Sequence, residues 1–109
     1  MSMTPTLTRE NGVVFLMVPI EWRGGTFRER TVTFSEVNLA FVAEAARAFL
    51  SYGDGVNGET SGDGDVLTTK LGGTDASPSL LVQNTRGGES VGTVWLTEAQ
   101  ARELLALLD

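Results

Sequence analysis

The chain has 109 residues, a net charge of −6 at pH 7, and neither cysteine nor histidine, which is the composition of one acidic globular domain. Without cysteine there can be no disulfides or thiolate metal sites, and without histidine the common serine and cysteine nucleophiles lack their base. We therefore expect a protein that is not an enzyme, with no catalytic residues, no metal and no cofactor.

The first part of the chain predicts three strands. Residues 13–22 are β-branched, aromatic or apolar on both faces, which predicts a central strand. Asn11-Gly12 predicts a hairpin to a short partner at 7–10, and the glycines at 24–25 reverse the chain into a third strand at 26–34. The alternation of large side chains breaks midway along that third strand, which indicates either a bulge or a change of surroundings.

The next segment predicts a helix that is apolar over most of its surface. Ser35 or Thr33 is the candidate N-cap, and Gly53 is the candidate residue with positive φ at its end. A helix this apolar needs cover on more than one side, so one of its stripes could form a homodimer interface. The residues of that stripe are Leu39, Val42, Ala46 and Leu50.

The second part of the chain predicts three more strands and a second helix. A hairpin turn at 85–88 joins the last two strands. Thr97, followed three residues later by Gln100, forms a capping box at the start of the helix. The predicted strands are 66–71, 79–84 and 90–96, and the predicted core face of the helix is Ala101, Leu104, Leu105 and Leu108.

These elements predict an α+β fold in a single domain, residues 1–109, with an antiparallel sheet of about six short strands and two helices. The segments TVTFSE at 31–36 and TVWLTE at 93–98 are similar, which suggests a duplicated βββα unit. The half-repeats would be 1–52 and 66–109, joined by the acidic, glycine-rich loop 53–65. The short match leaves convergence on the same turn and cap chemistry open.

The glycine-rich loop contains fragments of two ligand-binding motifs. A G-x-G-x-x-G pattern begins at Gly53, but it follows a helix instead of opening one, so a phosphate would face the negative end of the dipole. The acidic side chains suit calcium, yet Val56 or Leu67 falls where the EF-hand spacing requires an oxygen ligand. We therefore expect a flexible joint, with a calcium-binding or small-ligand-binding module as an alternative.

The distribution of charge favours a protein partner. Residues 53–109 carry nine acids and three bases, whereas residues 1–52 carry five of each. This balance disfavours direct binding of nucleic acid and favours a partner with a basic surface. The leading hypothesis is an acidic interaction module, such as an inhibitor, an immunity protein or a phage anti-defence protein that binds a nucleic-acid-acting partner. Its predicted contact carboxylates are Asp54, Glu59, Asp63, Asp65 and Asp75.

Two further expectations concern location and assembly. The longest apolar run, residues 13–20, is far shorter than the ~20 residues of a membrane span, and Arg9 and Glu10 precede it, unlike a signal peptide. We expect a cytoplasmic protein with no membrane contact. A structural subunit of a larger assembly, such as a phage particle, is the remaining alternative, with the first helix at the interface.

Overall fold

The computed structural model describes residues 4–21, 23–52 and 55–108. Those residues form seven strands and two helices. The strands are β1 Thr6–Glu10, β2 Val13–Glu21, β3 Phe27–Ser35, β4 Gly58–Gly62, β5 Asp65–Gly73, β6 Pro78–Arg86 and β7 Glu89–Leu96; the helices are α1 Leu39–Ser51 and α2 Glu98–Leu108. The predicted α+β fold is confirmed, with one strand more than expected and two sheets in place of one.

Both sheets are antiparallel and are built from tight hairpins. The first has the order β1-β2-β3, with β2 central as predicted, and the second has the order β4-β5-β6-β7. Positive φ at two successive residues, which type I′ turns require, occurs at each two-residue connection between strands of the described chain. These pairs are Asn11-Gly12 (53° and 80°), Asp63-Gly64 (53° and 82°) and Gly87-Gly88 (62° and 85°).

The second part of the glycine-rich loop is a hairpin, so the prediction of a flexible joint over 53–65 is wrong there. Residues 58–62 form β4, which pairs with residues 65–69 of β5. The intervening Asp63-Gly64 is the hairpin turn and not a fragment of a calcium loop. Gly53 lies outside the described residues, and Tyr52, with φ of 55°, is the left-handed residue that ends α1.

Strand β3 shows the second of the two predicted irregularities: its side chains pass from solvent into the core midway along the strand. Strand β3 pairs with β2 without a register shift, while Arg28 and Arg30 are exposed and Val32 and Phe34 are buried. The bulge of this fold lies instead in β7, where the register to β6 shifts between Gln83 and Thr85.

The edge strands of the two sheets, β3 and β7, meet at that bulge. Gly92 in β7 has a φ of 127°, and a Cβ at this position would lie 2.7 Å from the Cα of Val32 and closer still to the carbonyl oxygen of Thr31. Only glycine fits a site with both this φ and this proximity. The contact of the two sheets therefore depends on the absence of a side chain at one residue.

One core joins both sheets and both helices. In α1, Val42 and Ala46 are fully buried in this core, while Leu39 and Leu50 are partly buried and pack against it. The predicted homodimer stripe on α1 is therefore wrong, because α2 and the sheets of the same chain cover it. Neither helix combines the length and the hydrophobicity that would be needed to cross a membrane, within the described residues.

The start of α1 differs from the predicted cap. A 3-10 turn at Glu36–Asn38 precedes the helix, and Ser35 makes no side-chain capping bond. Its hydroxyl instead donates to the carboxylate of Asp63, at 2.8 Å. A residue chosen as a local cap thus joins the first half of the chain to the β4-β5 turn.

The capping box of α2 is confirmed. The N–H of Thr97 donates to Oε1 of Gln100 at 3.0 Å, and the N–H of Gln100 donates to Oγ1 of Thr97 at 3.2 Å. Gln100 is buried, and its Nε2 also donates to the carbonyl oxygen of Pro19 at 2.7 Å. The cap therefore fixes both the start of α2 and its position against β2.

Replacing Thr97 with alanine is expected to lower the free energy of unfolding by about 1 kcal/mol, because the N–H of Gln100 loses its acceptor. Thr97→Ser keeps the hydroxyl and should stay close to the wild-type value. Urea denaturation followed by circular dichroism measures both. A serine variant as unstable as the alanine variant would show that the methyl group of Thr97, and not its oxygen, is responsible.

Candidate functional site

The structure does not bring the predicted contact carboxylates together. Asp63 and Asp65 lie at one end of β5, whereas Asp75 lies just beyond the other end, and nine strand residues span about 30 Å. Glu59 is exposed on β4. Asp54 lies outside the described residues. The acidic residues therefore belong to separate regions of the molecule.

Asp65 is a buried residue and not part of an exposed acidic surface. It is 1% exposed, and its carboxylate accepts a hydrogen bond from the backbone N–H of Ser35 at 2.6 Å. The guanidinium of Arg86 donates to it twice, from Nε at 2.7 Å and from Nη2 at 3.3 Å. The predicted role of Asp65 as a contact carboxylate is therefore wrong, because its charge is used within the chain.

The surroundings of Asp65 keep it ionised. Burial on its own raises the pKa of a carboxyl group, but hydrogen bonds from Arg86, from the N–H of Ser35 and from Asn84 favour the charged form and outweigh burial. The net effect lowers the pKa of Asp65 below its ordinary value of 3.8. At neutral pH the group is a fixed negative charge beside a fixed positive charge.

These contacts connect the two halves of the chain. Besides the bond from Ser35 to Asp65, the side-chain amide of Asn84 donates to the carbonyl oxygen of Thr33 at 2.7 Å. Ser35 and Thr33 belong to β3, while their partners belong to the β5-β6 hairpin. We read this cluster as structural, since the charges of Asp65 and Arg86 satisfy each other.

The described residues do not form a metal site. Among residues 4–21, 23–52 and 55–108, no group of three or more carboxylates is placed to hold a metal ion. Asp63, the exposed acid of the β4-β5 turn, accepts a hydrogen bond from Ser35 instead. The calcium alternative therefore gains no support from this part of the chain.

A different region has the shape of a binding site. A groove of about 390 Å³ opens between the end of α1, the segment before β4 and the loop that joins β5 to β6. We call it the Leu71 groove. Its apolar lining is Phe49, Val56, Leu71 and Pro78, with Tyr52 and Asp75 among its other lining residues.

Two hydrogen bonds fix the wall of the Leu71 groove. The hydroxyl of Thr69 donates to the carbonyl oxygen of Val56 at 2.8 Å, and the N–H of Leu71 donates to Oδ1 of Asn57 at 2.7 Å. They hold residues 56–57 against β5, just ahead of the point where β4 begins. This part of the glycine-rich segment is therefore anchored, and the groove has a defined shape before any partner arrives.

The Leu71 groove exposes two large side chains. Leu71 is 55% exposed and Tyr52 is 76% exposed. Strand β4 pairs only with residues 65–69, so residues 70–73 of β5 extend past it without a described strand on that side. Asn57 occupies part of that edge through the N–H of Leu71, and exposed apolar side chains such as these are typical of surfaces that contact other proteins.

The charge around the groove is negative. Asp75 is exposed at its rim, and the hydroxyl of Tyr52 donates to Oε1 of Glu98 at 2.7 Å. That hydrogen bond, together with the negative charge of Glu98, raises the pKa of Tyr52 above its ordinary value of 10.0. The hydrogen bond holds the ring of Tyr52 toward the first turn of α2.

Comparison with protein-family models, with curated proteins and with solved structures finds no match for this chain.

This groove was not predicted from the sequence. Asp75 was a predicted contact residue and Leu71 lay at the end of the predicted strand 66–71, but neither was predicted to line a groove. By strand alternation Leu71 shares a face with the buried residues Leu67 and Thr69, but it is exposed because it lies beyond the residues of β5 that pair with β4. The groove itself combines residues between 49 and 78, and no local pattern brings such distant residues together.

Proposed function

We propose that this chain is a non-enzymatic protein-binding module that takes a basic segment of its partner into the Leu71 groove. The observation that carries the proposal is an apolar groove with exposed Leu71 and Tyr52 beside the carboxylate of Asp75. Tyrosine is enriched among interface residues, because it adds contact area with few rotatable bonds and ends in a polar group. The proposal keeps the cytoplasm as the compartment.

The charges of the second half support a basic partner. Two of its three basic residues are already paired within the chain, Arg86 with Asp65 and Arg102 with Glu98. Glu59, Asp75 and other acids of this half remain exposed. A partner that carries lysine or arginine would associate faster because of this field, and it would bind less tightly as salt screens it.

The roles in this site differ between its members. Leu71 and its apolar neighbours would receive an aliphatic or aromatic side chain of the partner, which supplies most of the binding free energy. Asp75, at the rim, would meet a lysine or arginine and would contribute mainly to orientation and association rate. The partner class predicted from the sequence, a basic protein that acts on nucleic acid, fits both requirements.

Selection of a random peptide library displayed on phage should enrich peptides that combine an apolar residue with lysine or arginine. For a synthetic peptide from that selection, Leu71→Lys is expected to weaken binding by about 10- to 100-fold, the effect of losing a central interface side chain. Asp75→Asn should weaken it by only a few-fold and should flatten its salt dependence. Fluorescence anisotropy measures all three proteins.

Leu107→Lys is the matched control, because Leu107 is also an exposed leucine but lies on α2 outside the groove. It should bind the selected peptide as the wild type does. Enrichment of acidic peptides, or equal binding by Leu71→Lys and wild type, would contradict the proposal.

A further inference from the structure

A second exposed surface lies on the first sheet and faces away from the core. Along β2, alternate residues Val14, Leu16 and Val18 are fully buried, so the intervening residues project from the opposite face. Phe15, at the centre of that face, is 38% exposed. The apolar residues of this outer stripe are Val13, Phe15, Met17 and Pro19.

Threonines flank the stripe on both sides. Strand pairing places Thr8 of β1 and Thr33 of β3 on either side of Phe15. Thr6 and Thr31 flank Met17 in the same way, and directly paired residues share a face. We call these four threonines and the four stripe residues the Phe15 face.

The Phe15 face carries no charged residue, although the chain has a net charge of −6. Carboxylates border this side at its two ends: Glu10 pairs with Val13 and Glu29 pairs with Pro19, and Asp63 accepts a hydrogen bond from Ser35, which also pairs with Val13. A partner selected by its charge would find no complementary group here. A second copy of an acidic chain, in contrast, can approach only where carboxylates are absent, because like charges repel.

We propose that the Phe15 face is the contact between two copies of this chain. A twofold axis parallel to the sheet would place the apolar stripe of one copy against the apolar stripe of the second copy. The threonine rows of the two copies would then also face each other, which is a self-complementary arrangement. This inference is independent of the Leu71 groove, which lies on the second sheet and the end of α1. It also replaces the α1 stripe, whose central residues are buried within one chain.

The size of the face sets the strength of the contact. Strands β2 and β3 are about 30 Å long, β1 is about 17 Å long, and the strands lie about 4.8 Å apart, so the face presents roughly 370 Å², which is below the ~800 Å² per partner of a stable interface. The dimer is therefore weak and reversible. Because both copies are acidic, added salt should strengthen the dimer, whereas it should weaken the binding of a basic peptide to the groove.

Sedimentation velocity over a concentration series at low and high salt tests the proposal. The wild type should shift from the monomer mass of 11.6 kDa toward a dimer as concentration rises, and more so at high salt. Phe15→Lys should weaken the dimer by at least about tenfold, because it would bury an unpaired charge between the copies. Thr8→Lys, at an exposed flanking position, should act in the same direction without touching the core.

Two comparisons separate this surface from others. Leu107→Lys, on α2, should dimerise like the wild type, and amide NMR shifts that change on dilution should lie on β1, β2 and β3. A wild type that stays monomeric at every concentration and salt would overturn the proposal. Dilution shifts confined to the β4 edge or to α1 would overturn it as well, and neither result would affect peptide binding in the Leu71 groove.

Discussion

Replacing Arg86 with methionine is expected to lower the free energy of unfolding by about 3 kcal/mol, because the substitution leaves the buried carboxylate of Asp65 without its cation. The expected value lies at the low end for buried ion pairs, since the side chain of Arg86 is 43% exposed and water can reach it. Asp65 itself has no exposed side-chain surface. The loss of stability therefore comes from the buried carboxylate of Asp65, which is left without a partner.

Arg102→Met is the matched control. Arg102 pairs with Glu98 one helical turn away, at 3.6 Å, and its side chain is mostly exposed. Such a pair contributes about 0.3–0.5 kcal/mol, so this variant should be nearly as stable as the wild type. Equal losses for the two arginine variants would show that Asp65 does not depend on Arg86.

The double variant Asp65→Asn/Arg86→Met distinguishes a lost charge pair from lost packing. Asparagine keeps an oxygen that can accept from the N–H of Ser35 but carries no charge to be neutralised. The double variant should therefore be more stable than Arg86→Met alone, as expected when a buried charge is removed together with its partner. A double variant less stable than either single variant would contradict the electrostatic explanation.

The pH dependence gives Arg86→Met a second readout. In the wild type the folded-state pKa of Asp65 is lowered, so the stabilisation is complete above the ordinary value of 3.8 and is lost as pH falls through the folded-state pKa. In Arg86→Met, burial without the cation should raise that pKa, so protonation would relieve the unpaired charge. The difference in urea midpoint between the two proteins should therefore begin to shrink above pH 3.8, where Asp65 of the variant takes up a proton, and should keep shrinking until the pH falls below the lowered folded-state pKa of the wild type.

Local chemistry explains why much of the fold could be predicted. Asn11-Gly12 can adopt the two positive φ angles of a type I′ turn, and Thr97 and Gln100 can cap each other's N–H groups without help from the rest of the chain. Such features depend on residues within a few positions of one another. The central position of β2 followed in the same way from apolar residues on both of its faces.

Strand β4 is an element that its local sequence does not predict. Its sequence, Gly-Glu-Thr-Ser-Gly, has low strand propensity, and its residues are extended because β5 supplies a partner. The Asp63-Gly64 turn carried the hairpin signal, but the surrounding acids and glycines suggested a loop instead. The prediction for Asp65 is wrong for a related reason, since its partner Arg86 lies 21 positions away and meets it only through the β5-β6 register.

The same difference between local and long-range contacts applies to the two candidate sites. The sequence of β2 is apolar on both faces, so it does not show which face is buried, and the Phe15 face is defined only by the pairing of β2 with β1 and β3. The Leu71 groove required knowledge of where β4 begins and of how residues 56–57 are held, by bonds to Thr69 and Leu71. Contacts between distant segments form it, and no single segment of sequence contains them.

Replacing Gly92 with alanine is expected to destabilise the protein by about 3 kcal/mol or more, with contributions from the backbone and from steric overlap. A φ of 127° is accessible almost only to glycine. The new methyl group would also overlap the backbone of Thr31 and Val32, which cannot move aside as a flexible side chain can. Urea denaturation compared with the wild type measures the loss.

Gly88→Ala separates the two contributions. Gly88 also has positive φ, 85°, but a Cβ there would have no neighbour within 4 Å, so the variant should lose only the conformational term of about 1–2 kcal/mol. A larger loss at Gly92 would show that the close approach of β3 and β7 contributes to the stability of the whole chain. Equal losses would mean that the two sheets can separate at the bulge at little cost, and that the Asp65 contacts hold the halves together without it.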